Sequence, residues 1–497
     1  MITKIKKNYL YILEVLVFIL FFCHLTYYAN RSKFGYFYLN SFTVITLIVG
    51  VMLICGFAFV FSKLKKLKME QKFLIIVPIL GILYLASFPF TAVPDEFNHA
   101  TRAYEISNGY LTSRNYKKIV GNKLDSSISK VFSNKNYNEL INNFKYKTTG
   151  KKVKYSFANT ALYSPISYLP QSFGIFISRL LTNRILLQLY FGRIFNFLAF
   201  LVLMYYSIKL IPFKKSIMFL IGMLPVVFQE AISLSPDAFT ISVVCFLISY
   251  VLYLKDGRRK VNSKDIVILS LSSVVLSQLK IVYLPICLFI FLLPTDKFKS
   301  KKSKYITLVS IFFASVLASL IWLKISSPYL KVQSDSNQQL TYILTNMVRY
   351  FGICTSTFIN LSREWMYDMF GRSLGYYTVI VPSFLIFGNI IYFIFESLIM
   401  ENKRENLKKW EKLFILLIII VIIGLIFTSL YLQWTPYKAD LVKGIQGRYF
   451  TPLLILIALV LSNKKLVLKE KFDSKYFDLF FLFENVCTLS MIFIYFM

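Results

Sequence analysis

Apolar and polar residues fall along this chain in long blocks. Runs approaching or exceeding the ~20 apolar residues that cross a bilayer occupy 10–28, 42–62, 73–91, 185–211, 216–232, 237–255, 264–278, 281–295, 304–325, 376–399, 412–431, 448–463 and 474–496. The pattern predicts an all-α integral membrane protein, a polytopic helical bundle of about thirteen transmembrane helices. The runs 264–278 and 281–295 are short for a ~30 Å hydrocarbon core and read as a hairpin with Gln278-Leu279-Lys280 at its outer tip. Only residues 92–160 and 326–375 form sizeable polar stretches, and there is no inverted repeat and no low-complexity tract.

The polar blocks set the orientation. Ser62–Lys68 carries four lysines, so it belongs in the cytoplasm, as does the N-terminus, and the third run travels outward. Asp95 then emerges on the extracytoplasmic side, at the start of an outer loop covering 92–184. Within that loop, 161–181 holds Tyr163–Pro170 and an apolar run ending at Leu181. If this segment crosses, Lys255–Lys260 lies outside; if it lies flat, that loop stays inside. Short basic loops orient strongly, which favours a surface helix. Lys214-Lys215, Lys255–Lys264, Lys297–Lys304, Lys403–Lys412 and Lys464–Lys475 are then all cytoplasmic.

Composition adds weight to this reading. Of 497 residues 57% are hydrophobic, with 49 Phe and 34 Tyr, as expected for a chain surrounded by lipid. The net charge of +33 sits mostly in short loops, which assigns it to orientation and anionic lipid rather than nucleic acid. Six scattered cysteines and two histidines exclude a redox pair by spacing and a histidine-rich metal site. Lys4, Lys6 and Lys7 precede a first run that continues through Cys23–Tyr28 without a small-residue cleavage site, so it reads as a retained anchor.

Candidate chemistry gathers at the outer face. In Val93–Glu105, Asp95, His99 and Arg102 fall at i, i+4 and i+7, one face of a helix. Phe97, Ala100 and Tyr104 supply an apolar face suited to a membrane surface. The same stretch also describes an ordinary well-terminated helix, with Pro94 at its first position and Asn108-Gly109 at its end. The outer face also receives Glu230, Ser235-Pro236-Asp237, Lys280, Glu364, Asp368, Arg372, Asp440 and Gly444–Pro452. Arg193 lies inside a run, where a charge is expensive and needs a polar cavity or an opposite charge.

Such a set suits sugar transfer from a polyprenyl-phosphate donor. A carboxylate, Asp95 or Glu96, removes the acceptor proton, because a hydroxyl is a weak nucleophile. Fixed cations, Arg102, Arg193, Lys280 and Arg448, meet charge developing on the leaving phosphate. His99, Asp237, Arg372 and Tyr449 complete the candidate donor-binding set. No cofactor is required, though Asp95, Glu96 and Asp237 are suited to a divalent cation, Mg or Mn, beside phosphate.

Pro94-Asp95-Glu96 with His99 and Arg102-Ala103, Ser235-Pro236-Asp237, and Gly447–Pro452 together resemble a bacterial family of predicted multipass membrane proteins of unknown function. That family in turn resembles the GT-C superfamily of polyprenyl-phosphate-dependent glycosyltransferases. The resemblance covers about residues 75–462 and implies a catalytic carboxylate at Asp95, an arginine role at Arg448, and surface helices in the first outer loop, one at Tyr163–Pro170. Val93 stands where a second proline is expected, and Gly375-Tyr376 where the family more often has Gly-Trp, a place for acceptor contacts.

The resulting organisation is two added N-terminal helices (1–72), a GT-C-like catalytic module (73–463) with outer loops 92–184 and 326–375, and a basic loop with a last helix (464–497). The expected localisation is the bacterial cytoplasmic membrane, with the active site facing outward. The expected partners are a polyprenyl-phosphate sugar donor, an extracytoplasmic glycan, lipid or protein acceptor, and membrane lipids. A lipid-linked glycan flippase would instead line a mid-membrane path with charge in two related halves. A scaffold in envelope glycan assembly would tolerate neutralisation of Asp95.

Overall fold

Eight helices among the described residues are long and apolar enough to cross a bilayer: Tyr9–Phe34, Ser41–Ser62, Met69–Ser87, Ile185–Leu210, Asp237–Asp256, Lys301–Tyr329, Lys409–Gln433 and Tyr476–Phe496. The computed structural model describes residues 2–63, 67–90, 92–116, 119–132, 136–329, 336–399, 407–463, 466 and 475–497. Parts of the expected basic loops, at 64–66, 403–406, 464–465 and 467–474, lie outside them. Helix accounts for 75% of the structure, in keeping with an all-α membrane protein.

Eight of the expected thirteen runs are such helices, and the others take different forms. The run 216–232 breaks into Lys215–Met223 and Pro225–Ala231, because Pro225 forces Leu224 into extended backbone (ψ 133°). Residues Ile281–Leu292 form a 3-10 helix with Pro285 inside it. Its rise of ~2.0 Å per residue stretches a short run to about 24 Å. Ser263–Leu279 is a 17-residue helix, and the expected hairpin tip, Lys280, is its C-cap. Ser383–Leu398 and Gly447–Leu461 are apolar helical segments shorter than the eight.

The two ends of the chain pack together. The last helix lies against the first two, with Phe18 stacked on Phe483 at 4.3 Å and Thr26 hydrogen-bonded to Ser490 at 2.9 Å. The Lys33 ammonium donates to the terminal carbonyls of Ile494 and Tyr495, at 2.9 and 2.7 Å, where a helix C-terminus attracts positive charge. The most enclosed span is Asp237–Asp256, which packs on Ile185–Leu210 and carries Asp237 to the site.

The described residues of 92–184 fold into a small layer. A three-stranded antiparallel sheet, Arg114–Tyr116, Ile119–Asp125 and Lys152–Ser156, pairs in sequence order, and corrects the purely helical expectation. Leu169–Leu181 is a 13-residue helix, about 20 Å long and too short to span. Its Leu169, Phe173, Phe176 and Leu180 point outward at i, i+4, i+7 and i+11, while Gln171, Ser172 and Ser178 face inward. An apolar stripe turned away from the protein fits a helix lying on lipid. Gly174 permits it to sit on the next helix, since a Cβ there would meet the Phe191 carbonyl oxygen at 2.4 Å.

The longest element of the second polar stretch, 326–375, is the 23-residue helix Met347–Met369. Its exposed Val348, Phe351, Phe358 and Ile359 show an apolar outer face, so this part is less soluble than its composition predicts. Trp365 on its inner side packs against Phe427 and Phe450, ring centroids 5.5 and 5.6 Å away.

Candidate functional site

Asp95 is not inside a helix. It holds a left-handed conformation, φ 60° and ψ 5°, and caps the helix Glu96–Ser107, so Pro94 precedes the helix instead of opening it. Left-handed backbone is uncommon for a side-chain-bearing residue and is a form of strain that collects at functional sites. The turn sends adjacent acids in opposite directions. Glu96 turns inward with no exposure, while Asp95 remains 52% exposed.

Glu96 is fully engaged. Arg193 Nε and Nη2 donate to its two oxygens at 2.8 and 2.6 Å, and the Leu234 amide donates to one of them at 3.2 Å. The same guanidinium donates to the carbonyls of Phe88 and Pro89 and lies 3.8 Å from the Phe90 ring centroid. Arg102, likewise without exposure, pairs with Glu105 at 2.5 Å and donates to the carbonyls of Leu111 and Tyr163. The structure therefore places Arg193 and Arg102 in internal pairs, and turns Glu96 to Arg193.

Arg448 is the hub of what remains. Its guanidinium lies 2.8 Å from Glu230, 3.5 Å from Asp95 and 3.6 Å from Asp237. The Lys280 ammonium pairs with the other Asp237 oxygen at 2.6 Å. Burial opposes the charge on Lys280, but Asp237 and the hydroxyls of Tyr163, Tyr283 and Tyr449 hold its pKa well above the ordinary lysine range. The Tyr449 ring faces Lys280 at 5.0 Å and Arg448 at 5.8 Å. Three carboxylates thus surround two cations, and of the three only Asp95 is open to solvent.

Each element is held by specific contacts. Gly447 lets Arg448 approach the end of Met347–Met369, where a Cβ would meet the Met369 amide nitrogen and the Trp365 carbonyl oxygen at 2.6 Å. The Asn196 amide gathers the loop before Asp237 by donating to the carbonyls of Glu230, Ser233 and Ser235. Asp237 occupies the first position of its helix, where the backbone dipole favours negative charge.

A two-residue hairpin, Ser373–Leu374 with Val379–Ile380, covers the cluster. The Tyr376 hydroxyl accepts from the Asp95 amide at 3.0 Å. A tryptophan there could not make this bond, because an indole N–H only donates. Below the hairpin a cavity of about 20 Å³ is walled by Gln229, Asp368, Tyr377 and Arg448, room for about one water. Arg448 Nε, at this cavity, makes no hydrogen bond but faces the Asp237 carboxylate at 3.6 Å, and Glu230 Oε2 is likewise buried without a hydrogen bond.

His99 and Arg372 stand at the margins. His99 Nδ1 meets the Tyr168 hydroxyl at 2.7 Å. Burial is the main cause lowering its pKa to about 3, with Arg448 and Lys280 adding to the effect and Asp237 opposing it, so the ring is neutral. Arg372 lies over the Tyr367 ring, 5.4 Å from its centroid, and outside the Arg448 cluster. Among the described residues no three His, Cys, Asp or Glu side chains are placed to hold a metal ion. The set Asp95, Glu96 and Asp237 does not converge, because Glu96 is turned to Arg193.

Tyr376 was legible only as a departure from a resemblance. Its role and that of Glu230 depend on chain segments more than 200 residues apart in sequence meeting at Arg448 and Asp95. Comparison with curated proteins and with solved structures finds no match. A family profile matches residues 78–457, most of the chain and every residue of the Arg448 cluster. The chain belongs to the family described as predicted membrane protein (DUF2142).

Proposed function

We propose that this protein is an integral-membrane glycosyltransferase, moving a sugar from a polyprenyl-phosphate carrier to an acceptor on the outer side of the cytoplasmic membrane. The observation that carries this reading is the pairing of an exposed carboxylate, Asp95, with the buried cation Arg448 at 3.5 Å, beside Lys280 and an outward-facing amphipathic helix.

Glu230 and Asp237 hold the inner edges of Arg448, leaving the edge toward Asp95 as the place where a phosphate oxygen enters. Phosphate there takes over the charge-assisted contact and releases Asp95. Asp95 then accepts the proton of an acceptor hydroxyl as that oxygen bonds to the sugar C1. The C1–O bond to phosphate breaks, its electron pair leaves with the polyprenyl phosphate, and Arg448 and Lys280 face the added charge.

The test is the sugar composition of surface glycans in cells with wild-type protein, a deletion, or Asp95→Asn at matched membrane levels. Loss of the same sugar in both altered strains is expected. Loss of a whole polymer in the deletion, with Asp95→Asn indistinguishable from wild type, overturns the catalytic reading in favour of transport or scaffolding.

A further inference from the structure

A cleft beside the three-stranded sheet is distinct from the Arg448 cluster. It holds about 300 Å³ between the sheet and the C-terminal end of the surface helix, with Tyr104, Arg179, Thr182, Asn183 and Lys152 among its walls. None of Asp95, Glu230, Asp237, Lys280 and Arg448 is on its lining. The cleft is therefore separate from the proposed reacting carboxylate.

Its walls are stitched by backbone. The Thr148 amide donates to the Asn183 carbonyl at 2.8 Å, the Ile185 amide to the Tyr146 carbonyl at 3.2 Å, and Lys147 pairs with Arg184 in an isolated bridge. The Arg179 guanidinium lies 4.3 Å from the Tyr104 ring centroid and is fixed there by the Ser107 carbonyl and hydroxyl. A site built from fixed walls needs little reorganisation on binding.

The lining is chemically specific. Asn108 and Asn183 supply carboxamides, and Thr148 and Thr182 supply hydroxyls, all on one small cleft, while the Gln188 carboxamide is engaged by the Tyr104 hydroxyl and the Thr182 carbonyl. Groups that both donate and accept match the dense hydroxyls of a saccharide. The one carboxylate, Asp125, is saturated by donors from Ser127, Thr149 and Gly150. Lys152 is exposed on its strand opposite Asp125, and the lining carries two cations, Lys152 and Arg179, against that one carboxylate. The available charge is therefore positive.

We infer that this cleft is a second carbohydrate site, taking a short saccharide that bears a carboxylate or phosphate group. It goes beyond the transfer reading and does not depend on Asp95, since binding here requires no reaction at Arg448. Its place beside the lipid-facing helix would hold an anionic glycan close to the membrane surface.

The test uses the full chain in lipid nanodiscs, with a glucuronate-bearing hyaluronan tetrasaccharide and the neutral maltotetraose as probes, read by saturation-transfer NMR and titration. The anionic probe is expected to bind about tenfold more tightly than the neutral one. Lys152→Gln and Asn183→Ala each weaken it by a similar factor without changing thermal stability, and Asp95→Asn leaves it unchanged. Absence of binding by either probe overturns the proposal, as do equal affinities for the two or binding insensitive to Lys152→Gln and Asn183→Ala. Loss of binding in Asp95→Asn would move the probe to the Arg448 cluster and overturn it also. Because Asp95→Asn is the variant that tests transfer, failure of one reading is distinguishable from failure of the other.

Discussion

Arg193 grips both oxygens of Glu96, at 2.8 and 2.6 Å, with neither side chain exposed, while the neighbouring Asp95 is 52% exposed. One left-handed residue separates a structural acid from a chemical one. Both Glu96 oxygens are taken by Arg193 and the Leu234 amide, while Asp95 faces Arg448 at 3.5 Å.

The two acids should therefore fail in different ways. Asp95→Asn is expected to reduce transfer about 10²–10⁴-fold with little change in stability. Glu96→Gln leaves Arg193 buried and uncompensated, and should cost about 3–5 kcal/mol. Thermal unfolding and activity measured on the same purified samples separate the outcomes. A stable but inactive Glu96→Gln would reverse the assignment.

The Tyr376 hydroxyl is expected to act through the Asp95 backbone. Tyr376→Phe removes one hydrogen-bond acceptor from a partly exposed amide, so stability should fall by no more than about 1 kcal/mol. Turnover should drop several-fold with KM for the donor unchanged, because the bond orients Asp95 and touches no phosphate. An unchanged turnover would remove Tyr376 from the site.

How much of this was readable from sequence divides by distance along the chain. Apolar block length revealed the membrane class, and the i, i+4, i+7, i+11 stripe beneath Leu169–Leu181 marks a surface helix without any tertiary information. Asp95, Asp237, Lys280 and Arg448 were accessible as polar residues at one predicted face. The pairing of Arg193 with Glu96 was hidden, since nothing local distinguishes an intramembrane arginine that binds a ligand from one that anchors a neighbouring loop. Hydropathy does not register Pro225 as a break or the 3-10 geometry of Ile281–Leu292, so the form of these two runs was hidden.

Gly447 offers a test of how closely the site is packed. Gly447→Ala places a methyl against the Met369 amide nitrogen and Trp365 carbonyl oxygen, both at 2.6 Å and both backbone. Overpacking of this kind costs about 1–3 kcal/mol, and it would displace the adjacent Arg448 from Glu230. Transfer should fall by about 10²-fold or more, comparable to Arg448→Lys, which keeps the charge but loses the planar fork. Normal activity in Gly447→Ala would show that Arg448 tolerates displacement.

The pH dependence of stability follows from His99. Its pKa in the folded protein, about 3, lies below the ordinary 6.5, so between these values the unfolded chain binds a proton that the native state does not. Stability contributed by the neutral ring is then fully present above pH 6.5 and falls as the pH drops from 6.5 toward 3. The cause is local: the ring is buried beside Tyr168, and Arg448 and Lys280 disfavour a further positive charge. In detergent, Tm should decline through this window, and His99→Gln, which keeps a hydrogen-bonding group but cannot titrate, should flatten that part of the decline. Carboxylates protonating at lower pH contribute a separate slope that the variant retains. An identical profile in wild type and His99→Gln would show that His99 is not held neutral by its surroundings.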